Sequence, residues 1–197
     1  MAPVNKGEIL LPIARSSISE ALGADHERID DSVKSADWLQ QKASCFVTLT
    51  QQDQLRGCIG TLEAYRPLLD DVTHNARAAA FQDPRFSPLT CEELGRTEIE
   101  ISLLSAMQAM RFTDEQDALQ QLQPGSDGLV FEFGRYRSTF LPQVWEHLPE
   151  VTDFIAHLKQ KAGLPADFWA DDVRLYRYSV SKWKERDFKN QTMSKTA

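Results

Sequence analysis

The sequence predicts an α+β fold with a mostly antiparallel sheet. Helical and strand patterns are interleaved without a regular βαβ rhythm, and several strand patterns follow each other closely enough to form hairpins. The 197 residues are 42% hydrophobic and 26% charged, which are ordinary values for a globular protein. A chain of this length buries roughly 70% of its unfolded surface, so it can form a core without metals or disulfides.

The N-terminal half combines two helix patterns with a hairpin pattern. Apolar residues at helical spacing predict an amphipathic helix over residues 8–22, ended by Gly23. Alternating β-branched and aromatic residues predict a strand over 43–50, and residues 55–60 are expected to return beside it. Pro67 is expected at the first position of a helix that runs to Phe81.

The C-terminal half predicts further strands and helices. Thr113 begins a capping-box pattern with Gln116 at its third helical position, which predicts a helix over 114–122. The other expected elements are a turn ending at Leu94, strands at 99–103, 129–133, 135–140 and 173–180, and helices at 142–147 and 151–162. We expect a short tail over 1–7, one domain over 8–183, and a polar, basic, frayed tail over 184–197.

Charge and composition exclude several classes of protein. A net charge of −7 argues against general nucleic-acid binding. No apolar run approaches the roughly 18 residues of a membrane span, and a signal-peptide pattern is absent, so we expect a cytoplasmic location. Residues 173–197 carry seven basic and two acidic side chains, which either dock on an acidic partner or form a solvated end.

The hexapeptide Leu55-Arg-Gly-Cys-Ile-Gly60 is the most unusual segment. Cys58 beside Arg56 is a candidate nucleophile, since a neighbouring positive charge favours the thiolate. The amides of Gly57 and Gly60 are candidates for stabilising an oxyanion. Alternatively, Cys58 points into the core as a small hydrophobe.

Other residues around the hexapeptide offer little catalytic support. The three cysteines are widely spaced, and neither a metal-ligand pattern nor a cofactor-binding motif is recognisable, so no metal or cofactor is predicted. His74 follows the hexapeptide on the next helix, but off its apolar face, so we expect a surface histidine.

Two further clusters offer polar side chains. Asp83 and Arg85 lie on a loop stiffened by prolines, where Arg85 either holds an anion or pairs internally with Asp83. Thr139 and Gln143 flank an apolar group and are candidates for orienting a substrate. Alternatively, Thr139 or Ser138 caps the short helix before a core Trp145.

Three segments together resemble the AmmeMemoRadiSam system protein A family, also called the AMMECR-type domain. They are the hexapeptide with the preceding Phe46-Val-Thr-Leu; residues 75–86, Asn-Ala-Arg-Ala-Ala-Ala-Phe-Gln-Asp-Pro-Arg-Phe; and residues 128–145 with 154–164. The resemblance covers about residues 8–183, and the hexapeptide is highly specific to the family.

The resemblance implies a barrel-like, largely antiparallel sheet in a single compact domain of two related halves. It also implies two partners: a Memo-type protein, similar to non-haem iron dioxygenases, and a radical S-adenosylmethionine enzyme. The family signature falls here on the hexapeptide, on Asp83, Arg85 and Phe86, and on residues 139–145.

Two hypotheses from different classes follow. In the first, the protein is an enzyme or enzyme component with Cys58 and Arg56 as catalytic residues. A small anionic substrate then binds at Gly57, Gly60, Asp83, Arg85, Thr139 and Gln143. In the second, it is a non-catalytic adaptor whose binding groove is formed by the hexapeptide and residues 140–145.

Overall fold

The computed structural model describes residues 5–188. The helices are α1 (Gly7–Ala21), α2 (Asp31–Lys34), α3 (Asp37–Gln40), α4 (Leu68–Phe81), α5 (Cys91–Leu94), α6 (Glu115–Gln120), a 3-10 helix (Pro142–Glu146) and α7 (Val151–Lys161). The strands are β1 (Cys45–Gln51), β2 (Gln54–Gly60), β3 (Glu98–Leu104), β4 (Gln108–Ala109), β5 (Gly128–Phe133), β6 (Tyr136–Phe140), β7 (Arg174–Tyr178) and β8 (Val180–Lys184). The chain divides into two compact units, one up to Leu104 and again from Ser181, the other Ser105–Val180.

The first unit contains a four-stranded sheet in the order β2-β1-β3-β8. β1 pairs antiparallel with both β2 and β3. Val47 and Leu49 of β1 are fully buried and share a core with Ile99 and Ile101 of β3 and with apolar residues of α1 and α4. The helices therefore cover one face of this sheet, because alternate residues of a strand point to the same face.

The second unit contains a four-stranded sheet in the order β4-β7-β5-β6. β5 pairs antiparallel with β6 and β7. Leu129 and Phe131 of β5 pack with Phe154 of α7. Trp145 from the 3-10 helix is buried and stacks on Phe154 with ring centroids 3.7 Å apart. The predicted core position of Trp145 is confirmed.

The α+β prediction with antiparallel sheets is confirmed, but the barrel-like form is wrong. Among the described strands, each sheet ends at two edge strands, β2 and β8 in one and β4 and β6 in the other. A barrel requires the first and last strands of one sheet to pair. Here eight strands are shared between two open sheets. The relation between two halves and the bounds of a single domain stay predictions.

Three local predictions differ from the structure. Pro67 is the N-cap of α4 rather than its first residue. Asp114 rather than Thr113 caps α6, through its side chain and the Asp117 N–H. The strand predicted over 173–180 is two strands, since the Ser179 backbone bonds with Ser105 between β7 and β8.

The predicted frayed tail is ordered where it is described. Lys184 lies in β8, and residues 185–188 form a helical turn. Glu185 accepts hydrogen bonds from the Arg15 side chain and, at 3.0 Å, from the Ile99 N–H. These contacts fix the start of the expected tail to α1 and β3. Residues 1–4 and 189–197 of the two predicted tails lie outside the described residues.

Two glycines of β2 allow close packing that a side chain would prevent. A Cβ at Gly57 would lie 2.2 Å from the carbonyl oxygen of Ala79 in α4. A Cβ at Gly60 would lie 2.1 Å from the ring of Phe46 on β1. Gly57 therefore sets how closely β2 approaches α4, and Gly60 leaves room for the Phe46 ring.

We expect Gly57→Ala to lower the free energy of unfolding by about 1–3 kcal/mol, because helix backbone must move to admit the methyl group. Gly95→Ala is the matched control, since a Cβ at Gly95 meets nothing within 4 Å. Its backbone is in the right-handed helical region, which alanine adopts readily. Urea unfolding of both variants checks this. A Gly57→Ala protein as stable as Gly95→Ala would contradict the packing argument.

Candidate functional site

Cys58 lies on the sheet face opposite the hydrophobic core of the first unit. The register pairs Cys58 with Thr48, which stands between the fully buried Val47 and Leu49 of β1. Since neighbouring residues of a strand point to opposite faces, Thr48 and Cys58 share the face away from that core. Cys58 is a half-buried free cysteine. The alternative that it fills the core beside Val47 and Leu49 is therefore wrong.

The sulfur of Cys58 has a hydrogen-bond donor beside it. The Thr48 hydroxyl donates to Cys58 Sγ over 3.4 Å. Thr48 reaches the sulfur because the two residues are direct cross-strand partners. The sulfur therefore has a polar neighbour on the outer face of the sheet.

An Asp83–Arg85 pair holds the main chain of Cys58. Asp83, whose side chain is 2% exposed, accepts the Cys58 N–H at 2.9 Å. Arg85 donates to the Cys58 carbonyl at 3.3 Å and to both carboxylate oxygens of Asp83, from Nε at 2.9 Å and from Nη2 at 2.7 Å. β2 is an edge strand, and this pair satisfies the outward N–H and carbonyl of Cys58 as a neighbouring strand would.

The electrostatics of this pair follow from its hydrogen bonds. Those from Arg85, assisted by the backbone N–H of Cys58, hold the pKa of the Asp83 carboxyl well below its usual range. The pKa of Arg85 is raised, chiefly by Asp83 and in smaller part by the neighbouring Cys58 thiol. The internal pairing of Asp83 with Arg85 is thus confirmed. Arg85 is 54% exposed, so one side of its guanidinium faces solvent.

Arg56 is committed to a different partner. Leu49 of β1 pairs with Gly57 of β2, and the next residue, Thr50, pairs with Leu55. Arg56 is therefore the extra residue of a β-bulge. Its side chain makes a two-pronged ion pair with Glu93, with Nε–Oε1 at 3.1 Å and Nη2–Oε2 at 3.0 Å. Its Nη1 atom is buried without a hydrogen-bond partner among the described residues.

The Arg56 guanidinium lowers the pKa of Glu93 to about 2, with a smaller contribution from the Thr90 N–H. The predicted pairing of Cys58 with Arg56 therefore changes. The hydrogen bond from Arg85 to the Cys58 carbonyl places Arg85 beside Cys58. Arg56 instead anchors β2 to α5 through Glu93.

The two glycine amides differ in direction. The Thr61 N–H donates to the carbonyl of Cys45 at the start of β1. Backbone N–H groups alternate in direction along a strand, so those of every second residue before Thr61 also point to β1. Gly57 belongs to that set, and its N–H lies in the ladder with Leu49. Gly60, like Cys58, points its N–H to the outer edge of the strand. The geometry therefore gives Gly57 a packing role and leaves only Gly60 with an outward amide.

Thr139 and Gln143 lie in the second unit. The Thr139 hydroxyl is 3.1 Å from the Tyr178 hydroxyl, and its carbonyl accepts a bond from Lys161 at 2.9 Å. Gln143 is exposed on the 3-10 helix. The alternative that Thr139 or Ser138 caps this helix is wrong, because the cap position is Leu141, which makes no side-chain cap bond.

Sequence reasoning missed Thr48 and Glu93. Thr48 carries no sequence signal of its own, because only the β1–β2 register brings it to Cys58. Glu93 did carry a sequence signal, since Thr90-Cys-Glu-Glu93 is a capping-box pattern. The structure contains that capping box. What the pattern does not reveal is that the same carboxylate also binds Arg56.

The carboxylate that contacts Cys58, Asp83, is paired with Arg85. His74 is exposed on α4, as predicted. Within residues 5–188, no group of three histidine, cysteine, aspartate or glutamate side chains is placed to hold a metal ion. Over the same residues, no helix combines the length and the apolar character needed to cross a membrane.

The lowered pKa of Glu93 predicts a pH-dependent stability. A carboxylate whose pKa falls from 4.5 to about 2 on folding stabilises the protein fully above about pH 4.5. That contribution disappears as the pH falls toward 2. We expect Glu93→Gln to lower the free energy of unfolding by roughly 1–3 kcal/mol at pH 7 and by progressively less below pH 4.5.

Urea unfolding at several pH values between 7 and 3 measures this difference. Glu92→Gln is the control, since Glu92 is an exposed neighbour on the same helix. We expect little effect from it at any pH. A Glu93→Gln deficit that does not change between pH 7 and pH 3 would argue against the ion pair as its source.

Comparisons with known proteins agree on one family. The AMMECR1 family model matches residues 11–183. Protein MJ0810 of Methanocaldococcus jannaschii is 38% identical over 159 residues, which cover 79% of each chain. A protein of Methanothermobacter thermautotrophicus is 36% identical over 189 residues, covering 93% of this chain and 97% of its own.

A solved structure gives the same result for the fold. The crystal structure of the uncharacterized protein PH0010 from Pyrococcus horikoshii is 32% identical to this chain and covers 91% of both chains. Its TM-score of 0.73 shows that the two folds correspond. Since the family model and the relatives span most of the sequence, the chain belongs to the AMMECR1 family.

Proposed function

We propose that the protein acts through the thiol of Cys58, as nucleophile or carrier, within a larger enzymatic system. The observation that carries this proposal is the placement of the thiol. Its main chain is fixed at both the N–H and the carbonyl by Asp83 and Arg85, while the sulfur stays half-buried on the face away from the core. Fixed main chain and a partly accessible side chain are what a reactive residue requires.

The assignments around the thiol differ from those expected from sequence. Thr48 donates to the sulfur, and Arg85 is the cation next to Cys58. Gly60 keeps an outward amide for a polar atom of the substrate. Arg56 and Gly57 have supporting roles, through Glu93 and Ala79 respectively.

The resemblance to AmmeMemoRadiSam proteins suggests the system in which this thiol works. We propose that a radical S-adenosylmethionine enzyme and a Memo-type protein act with this chain on one substrate. The proposal would account for a site with a fixed thiol whose contacting carboxylate, Asp83, is already paired with Arg85. A partner protein would then supply the chemistry that activates the substrate.

A non-catalytic adaptor is the alternative, and one observation favours it. Leu55 at the start of β2 is 43% exposed, and Tyr65 after its end is 59% exposed. Exposed large apolar side chains beside such a specific motif suit a docking surface. Trp145 cannot belong to that surface, because it is buried and its Nε1 donates to the Asp127 carbonyl at 2.7 Å.

Cys58→Ser should abolish product formation when the protein is reconstituted with both partner enzymes, by about 100-fold or more. Cys91→Ser is the matched control, since Cys91 is an exposed free thiol outside the site, and it should retain activity. Mass spectrometry of the native protein after iodoacetamide treatment should find an adduct on Cys58. Full activity of Cys58→Ser would overturn the proposal.

The adaptor alternative gives the opposite pattern. If it holds, Cys58→Ala keeps full activity, while Leu55→Ser or Tyr65→Ser weakens binding to a partner protein at least tenfold. Titration calorimetry with each purified partner measures this. Both substitutions are at exposed positions, so a loss of binding reports on the surface rather than on folding.

A further inference from the structure

We propose that the substrate group that meets Cys58 carries no net charge. This inference rests on the proposed function, since it concerns the substrate of the Cys58 thiol. The observation behind it concerns two cations, Arg56 on the strand of Cys58 and Arg85 at the Cys58 carbonyl. Both already pair with carboxylates of the first unit. An anionic substrate, as expected from the sequence, would find those cations neutralised.

Arg85 offers less to an anion than its exposure suggests. Its Nε and Nη2 both donate to Asp83, and Nη2 also donates to the Cys58 carbonyl. Asp83 is almost fully buried, so its negative charge stays beside the guanidinium whatever binds outside. A guanidinium binds carboxylate or phosphate strongly through two parallel hydrogen bonds, and here Asp83 already takes such a pair from Nε and Nη2, which leaves Nη1 as the outward donor.

Arg56 is neutralised in the same way. Glu93 takes two of its donors at 3.0–3.1 Å, and both side chains are more than four-fifths buried. The remaining donor, Nη1, is buried as well. An incoming anion would have to displace Glu93 to reach Arg56, and breaking a largely buried ion pair is costly.

The third charge near the thiol is also paired. The β1–β3 register places Glu100 opposite Thr48, whose hydroxyl contacts the Cys58 sulfur. Glu100 forms an ion pair with Lys184 at 3.2 Å. The pairs Arg85–Asp83 and Lys184–Glu100 therefore flank Cys58 and Thr48, while the pair Arg56–Glu93 lies two residues earlier on β2, and the formal charge of these six side chains is zero.

The charge of a site controls which reagents reach it. A cleft lined by one sign of charge raises the local concentration and the association rate of the opposite charge by about 10–1000-fold. Balanced pairs produce no such preference. Polar groups remain for recognition, namely the Thr48 hydroxyl, the outward Gly60 amide and the exposed side of Arg85. These groups suit a neutral, hydrogen-bonding substrate.

Three methanethiosulfonate reagents test the inference directly. They carry a methyl group, an anionic ethylsulfonate or a cationic ethyltrimethylammonium, and each forms a disulfide with the thiolate while methanesulfinate leaves. We would use full-length protein with Cys45→Ala and Cys91→Ser, so that only Cys58 reacts. Each rate is divided by the rate of the same reagent with N-acetylcysteinamide at 0.1 M ionic strength.

The normalised rates for the anionic and cationic reagents should lie within about threefold of that for the neutral reagent. Glu93→Gln in the same background leaves Arg56 without its counter-charge and should raise the normalised anionic rate by roughly twofold or more. Glu92→Gln, at an exposed position on the same helix, should leave the ratio unchanged.

The outcomes separate this inference from the function on which it rests. A normalised preference of about tenfold or more for the anionic or the cationic reagent would overturn the neutral substrate but leave a reactive Cys58. No reaction with any reagent in native protein, together with full reaction after denaturation, would overturn the proposed function and this inference with it.

Discussion

Two buried carboxylates at the ends of α4 hold the first unit together. Asp71, in the first turn of the helix, accepts the N–H of Cys45 at the start of β1 at 2.9 Å. Asp83, just beyond the last turn, accepts the N–H of Cys58 in β2, also at 2.9 Å. A buried charge is costly unless it is paired, and Arg66 and Arg85 respectively pair with the two carboxylates. The helix is thereby fixed to both strands of the hairpin.

This arrangement explains why the hexapeptide has its composition. Because α4 is held against β2, the carbonyl of Ala79 lies where a side chain at position 57 would be, and glycine is required. The bulge directs Arg56 to Glu93. Cys58 then lies on the outer face with its main chain already bonded. Most of the motif thus serves to place one side chain, which is the physical basis for proposing the thiol as the reactive group.

Regular elements were predictable because they depend on local periodicity. The helices at 7–21, 68–81 and 151–161 and the strands at 45–51 and 128–133 lie within a few residues of their predicted bounds. The cap of α6 and the break in the last predicted strand were not predictable in this way. Asp114 caps α6 in place of Thr113, and the Ser179–Ser105 bonds divide the last predicted strand. The strand break depends on a distant partner, which the local pattern does not contain.

The sequence by itself determined the family, the α+β class and the unusual hexapeptide. It offered the pairing of Asp83 with Arg85, which are two residues apart, as one of two alternatives, and the structure contains that pair. Tertiary structure decided the rest of the site. Arg56 is two residues from Cys58 along the chain, but it pairs with Glu93, 37 residues away. Thr48 reaches the sulfur only through the hairpin register. Side-chain partners depend on distances in space, and a strand with a bulge directs close neighbours along the chain to different surroundings.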